Sequence, residues 1–125
     1  MPRIRYLKPD FFFDEELAGL SFACRLLFQG LWCYADREGR LEDKPKKIKA
    51  QIFPYETVKI EEMLEKLNGR FIDRYEVKGR KYIQIKTFTK HQKVHHTEKE
   101  SQIPEYNGYL TVKEPLKTGG NGEGN

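Results

Sequence analysis

The side chains of this 125-residue chain that could do chemistry are its cations, and that chemistry is the binding of phosphate. Between Lys44 and Lys49 there are four lysines and no acid. Between Gly69 and Lys99 nine Lys and Arg face only Asp73, Glu76 and Glu98. In the stretch that separates these blocks the sign reverses, with Glu56, Glu61, Glu62 and Glu65 outnumbering Lys59 and Lys66. The net charge of +4 therefore hides a strongly uneven distribution. Cations clustered on one face raise affinity for a nucleic-acid backbone whatever its sequence, because each neutralised phosphate releases a counterion. The residues expected to make such contacts are Lys44, Lys46, Lys47 and Lys49, then Lys59 and Lys66, then Lys78, Arg80 and Lys81, and last Lys90, His91 and Lys93. The competing reading of such lysine blocks is a solvated, solubilising surface.

Other chemistry has little to stand on. His91 and His95 lie four apart, but a metal would need them on a helix with a third ligand, and no Asp or Cys lies suitably near. Together with His96 they extend the basic surface, with a charge that grows as the pH falls. There is no phosphate-cradling Gly-Lys loop, no nucleophile elbow and no HExxH. The carboxylates gather on one exposed helix rather than as a poised acid and base. The expectation is a protein that is not an enzyme and holds no metal or cofactor. Cys24 and Cys33 are nine residues apart in a helical segment, hence on opposite faces, and read as reduced thiols.

Those cations need elements to position them. Ser21 is placed to cap a helix over Phe22 to Ala35, in which Leu20, Cys24, Leu27, Phe28, Leu31 and Ala35 form one apolar stripe. Trp32 lies off that stripe, where it would either cover a neighbouring element, the favoured reading, or mark a contact surface. A short helix opens at Asp14-Glu15-Glu16 and runs to Leu20. Asp36 to Gly39 reads as a stop and turn, Arg40 to Glu42 as a very short strand, and Pro45 as the first turn of a helix to Ile52. Lys46, Lys47 and Lys49 would face outward from it. The next helix starts near Thr57 with Ile60, Met63, Leu64 and Leu67 inward, and Asn68-Gly69 closes it with a left-handed cap. Phe71 to Val77 and Lys81 to Phe88 form a hairpin about a cationic turn, Lys78-Gly79-Arg80-Lys81.

Helix, short strand, helix, turn, helix, strand, turn and strand is the order of an α+β winged helix-turn-helix. The charged turn would be the wing that grips the backbone. Glu61, Glu62 and Glu65 on the third helix argue against strong reading of bases in the major groove, and so against a sequence-specific transcriptional regulator. The expected divisions are a lead-in over 1–13, the winged helix over 14–90, a polar arm over 91–116 and a Gly-rich flexible tail over 117–125. No window approaches the roughly 18 apolar residues of a membrane span, and MPRIRYLKPD lacks the apolar core of a signal peptide, so a cytosolic protein is expected.

The run RIRYLKPDFFFDEELAGLSFACRLLFQGLWCYADREGRLEDKPKKIKAQIFPYE, followed by FIDRYEVKGRKYIQIKTFTKHQKVH and then SQIPE, resembles the N-terminal domain of phage and prophage DnaD-like replication initiation proteins, the replisome organisers. The likeness covers about Arg3 to Glu105, with LLFQGLW, YADREGRLEDKPKKIKAQIFPY and FTKHQ its most specific parts. It implies a winged helix that binds DNA at a replication origin or mediates self-association in the cytoplasm of a bacterial host. A separate C-terminal region in that family handles the helicase loader or single strands. The sequence runs to the Gly-rich tail, as either a piece of a longer protein or a naturally short one would, and helicase-loading functions are not expected to carry over to these residues. The expected partners are DNA, duplex rather than single-stranded, and a second copy or another replisome protein. No membrane and no small-molecule substrate is expected.

Overall fold

Ser21 does begin the main helix: its hydroxyl accepts from the Cys24 N–H at 3.1 Å, and α3 runs Phe22–Tyr34. Asp14 does the same for a shorter helix, accepting from the N–H groups of Glu16 and Leu17. The structure is a computed structural model that describes residues 2–106. The Gly-rich stretch 117–125 and the last part of the expected arm, 107–116, lie outside the described residues. In chain order the elements are α1 (Asp10–Phe13), α2 (Glu15–Ala18), α3, β1 (Arg40–Glu42), α4 (Pro45–Ile52), α5 (Ile60–Leu67), β2 (Ile72–Val77), β3 (Arg80–Ile85) and α6 (Phe88–His91). The class is α+β, and no helix among the described residues is long and apolar enough to cross a membrane.

The strands form one antiparallel sheet in the order β1-β3-β2. Ile83 pairs with Leu41 on one side and Arg74 on the other, and Tyr82 pairs with Glu42 and Tyr75. Because side chains alternate across a strand, Leu41, Ile72, Ile83 and Ile85 face the helices. Tyr75, Tyr82, Arg40 and Gln84 face outward. Leu27 and Leu31 of α3, Leu64 and Leu67 of α5 and Ile48 of α4 fill the space between helices and sheet, all at 2% exposure or less. The expected α3 stripe is thus the core face, and Trp32 packs beside it, edge-on to Phe11 and Phe28.

Several boundaries differ from the sequence expectation: α2 ends at Ala18 rather than Leu20, α3 at Tyr34 rather than Ala35, and β2 starts at Ile72 rather than Phe71. The hairpin turn is only Lys78-Gly79, both residues left-handed (φ 53° and 80°), as a two-residue turn requires when it matches the strand twist. Arg80 and Lys81 are strand residues instead, and β3 ends at Ile85 because Thr87 takes φ 53° and turns Phe88 into α6. Helix α5 starts at Ile60 rather than near Thr57, and Gly69 alone carries the positive φ after it, since Asn68 is extended. Within the lead-in, Asp10–Phe13 forms the short helix α1.

The N-terminal segment is fastened to α3, and the stretch after α6 is fastened to that segment. The Arg3 N–H donates to Cys33 O at 2.8 Å, and the Gln92 amide bonds both the N–H and the C=O of Tyr6. Arg5, with its side chain 3% exposed, donates to Trp32 O and Ala35 O and forms a two-pronged pair with Glu98 at 2.8 and 3.2 Å. Those bonds hold the Glu98 carboxyl below its ordinary value against the opposing effect of burial. A carboxylate with a depressed folded pKa stabilises the fold fully at neutral pH and loses that contribution as the pH falls from 4.5 through the folded pKa. Glu98→Gln should cost about 3 kcal/mol in urea unfolding at pH 7. The deficit should shrink below pH 4.5, where the parent loses the pair as well.

Gly39 closes the turn into β1 with φ 80°, and a Cβ there would stand 2.5 Å from the Phe88 Cβ. Gly39→Ala should therefore lower the urea midpoint by the equivalent of about 2–4 kcal/mol, from left-handed strain plus overpacking.

Candidate nucleic-acid interface

The outer face of the sheet, the groove-side flank of α4 and the segment 98–103 enclose an open groove of about 690 Å³. Its floor is Tyr34, Leu41, Ile48 and Tyr82. Around it stand seven cations, Arg3, Arg37, Arg40, Lys44, Lys47, Arg80 and Lys99, against four carboxylates, Asp36, Glu42, Glu98 and Glu100. The surplus matters because most of those carboxylates are already engaged. Glu98 is held by Arg5, and Glu42 lies 3.3 Å from Lys44. Asp36 accepts from the N–H groups of Glu38 and Arg40 and from the Ser101 hydroxyl.

Among the cations, Arg40 is tied to Gln84 Oε1 at 2.8 Å and to Ile103 O at 3.3 Å, while Arg37 donates to Glu98 O. Both are wall material. Lys47, Arg80 and Lys99 are exposed and make no ion pair among the described residues, so they are the groups with charge to offer. The groove is lined on its sheet side by Tyr82, whose ring lies tilted against Tyr75 at 5.7 Å, and Tyr75 in turn lies tilted against Tyr106 at 5.2 Å. Burial pushes the Tyr75 phenol up to about 12, and its hydroxyl donates to Pro104 O at 2.6 Å. That bond pins the segment 101–106 over the sheet.

The twelve cations picked out from the sequence do not form one surface. Lys44, Lys47 and Arg80 meet in the groove. At about 100° per residue, Lys46 falls on the outer crest of α4, and Lys49 falls on the opposite flank, where its Nζ donates to Phe53 O at 3.3 Å. Lys59 is the residue before α5, and Lys66 is in its last turn. Lys78 tips the hairpin. Strand alternation sends Lys81 to the face opposite Arg80, among the groups that surround Glu61. Lys90, His91 and Lys93 are exposed at the α6 corner, and His91 lines a different cleft from the groove.

The acids of α5 are exposed, as expected, but two of them are also paired. Arg74 of β2, with its side chain 12% exposed, reaches Asp43 at 2.6 Å, Glu61 at 2.6 Å and Glu65 at 2.7 Å. Burial works against its charge, but the bonds to Glu61 and Asp43 outweigh that and raise its pKa above the ordinary value. The Arg74 bond likewise lowers the Glu61 carboxyl. Glu61 and Glu65 therefore lean toward β2, Glu62 lies on the outer side, and Lys59 and Lys66 fall on the opposite flank, where Lys66 stands near Cys24 of α3.

Sequence reasoning missed Arg3, Arg37, Arg40 and Lys99 as groove residues, and missed the Arg74 cluster. The partners of Arg74 lie 9 to 31 positions away along the chain, so no local spacing announces them. No protein-family model, curated protein or solved structure matches the chain.

Arg74→Ala should destabilise by about 3–5 kcal/mol, because it strands the Asp43 carboxylate, whose side chain is 3% exposed. Glu61→Gln, at a side chain 61% exposed, should cost less than about 1 kcal/mol. Urea unfolding of the two variants gives the ratio.

Proposed function

We propose that this chain is a winged helix domain that binds duplex DNA through its backbone phosphates, as part of a phage-type replication initiation protein, and that it is not an enzyme. The observation that carries the proposal is the groove in which seven cations outnumber four carboxylates, three of which are already engaged; Lys47, Arg80 and Lys99 make no ion pair among the described residues. The order of α3, β1, α4, α5 and the β2-β3 hairpin, with β1 paired to the far strand of that hairpin, supports the fold assignment. The resemblance of Arg3 to Glu105 to DnaD-like initiators supplies the biological setting. With two of the three α5 acids turned to Arg74, Lys59 and Lys66 stand on the opposite flank of that helix, away from those two carboxylates. Glu62 still weighs against base reading there.

A second reading is self-association or docking on another replisome protein. Phe22, at 83% exposure, and Leu26, at 51%, lie on the solvent side of α3, one turn apart. An apolar stripe of this kind is where a second copy would bury surface.

Fluorescence anisotropy with a labelled duplex separates the two. Log affinity should fall linearly with log salt, with a slope of about −0.9 per phosphate contacted. Lys44→Glu/Lys47→Glu/Arg80→Glu should weaken binding at least about 100-fold at 0.1 M salt and flatten the slope by about 3. Lys8→Glu/Lys90→Glu/Lys93→Glu changes net charge equally and should lose far less. Equal losses in the two variants, or none in the first, would sink the groove as the binding site. A stable dimer by light scattering with no DNA binding would favour the second reading.

A further inference from the structure

A second concavity, of about 280 Å³, opens on the other side of α3, between the α1–α2 segment and the corner where β3 passes into α6. Its walls are Phe11, Leu17, Phe28, Trp32, Phe71 and Phe88. The rings form one continuous surface: Trp32 is edge-on to Phe11 at 5.6 Å and to Phe28 at 5.4 Å, and Phe28 lies 5.5 Å from Phe71.

Most polar groups that line it are already occupied. Both ends of the Gln92 amide are bonded to the Tyr6 backbone, the Thr87 hydroxyl donates to Lys86 O, and Asp14 caps α2. The half-exposed Tyr6 hydroxyl at the edge makes no hydrogen bond among the described residues, and the interior offers chiefly apolar contact. The charge sits at the mouth instead. Lys8 and Arg70 are exposed cations there with no ion-pair partner among the described residues, beside the exposed His91 ring, whose N–H can donate, whereas Asp10 is the carboxylate of the rim without a bond among those residues.

An apolar hole inside a cationic rim selects an occupant of complementary layout, with an apolar anchor inward and carboxylates beside it. The volume suits one large side chain rather than a whole helix face. We infer that this cleft is a docking site for an acidic peptide segment of a partner protein, which inserts one aromatic or large aliphatic side chain between Phe11, Trp32 and Phe71 and sets flanking carboxylates against Lys8, Arg70 and His91.

Trp32 is the only tryptophan of the chain and forms part of the cleft wall, so its emission reports occupancy directly. The probe is the blocked hexapeptide Asp-Asp-Phe-Leu-Asp-Asp, titrated into the full chain at low and moderate salt. The expected result is a saturable change in Trp32 emission, with a dissociation constant near about 0.1 mM at low salt, weakening as salt is added. Arg70→Glu and Lys8→Glu, both exposed and outside the core, should each weaken binding about tenfold. A peptide with Ala-Ala in place of Phe-Leu should leave the emission unchanged, as should one with Asn in place of Asp. Equal binding of the Ala-Ala peptide, no change in emission up to millimolar peptide, or unaltered affinity in Arg70→Glu would each overturn the inference. So would a tighter saturable response to oligothymidylate, which would make the cleft a base-stacking site instead.

Discussion

Arg74 is the constraint on which the remaining structure leans. One guanidinium, largely withdrawn from water, reaches carboxylates from two other places in the chain: Asp43 at the end of β1, and Glu61 and Glu65 along one flank of α5. Taking such groups out of water is expensive unless every partner is in position. The cluster is therefore satisfied only when hairpin, helix and edge strand are docked in one arrangement. It also sets the electrostatics. Two of the three acids of α5 are drawn toward Arg74, and Lys47 of α4 and Arg80 of β3 make no ion pair among the described residues.

The pair of Arg5 with Glu98 does the corresponding work at the other end of the sheet. It draws the N-terminal segment and the stretch after α6 together over the C-terminal end of α3, where Arg5 also satisfies the carbonyls of Trp32 and Ala35. Ser101 and Ile103 then meet Asp36 and Arg40, and Pro104 meets Tyr75. The result is the far wall of the groove. Segments with little pattern of their own in the sequence become part of the proposed phosphate-binding surface through these few polar contacts.

What was legible in the sequence is what local chemistry dictates. Pro45 and the periodicity after it set α4 correctly to the residue, and the Asp36–Gly39 turn announced β1. Ser21 capped α3 because a side-chain oxygen two to three residues before free N–H groups has little else to bond. The hairpin was visible but its turn was drawn too wide, since four charged or flexible residues look alike until φ selects two of them. Charge counting found Lys44, Lys47 and Arg80 but could not sort them from Lys49 or Lys81, because a lysine on the far flank of a helix or the opposite face of a strand has the same sequence signature. The pairings of Arg74 and Arg5 were illegible for a related reason: each depends on how whole elements dock.

The central claim is that the cations of the groove, and not the acidic flank of α5, are the face this domain turns to DNA. Amide and side-chain NMR of the isotope-labelled chain with a short duplex tests it most directly. The account predicts that the largest shifts fall on Lys44, Lys47, Arg80 and Lys99, with Glu61 and Glu65 little changed. Shifts centred on Phe22 and Leu26, or spread evenly over every lysine of the chain, would contradict it.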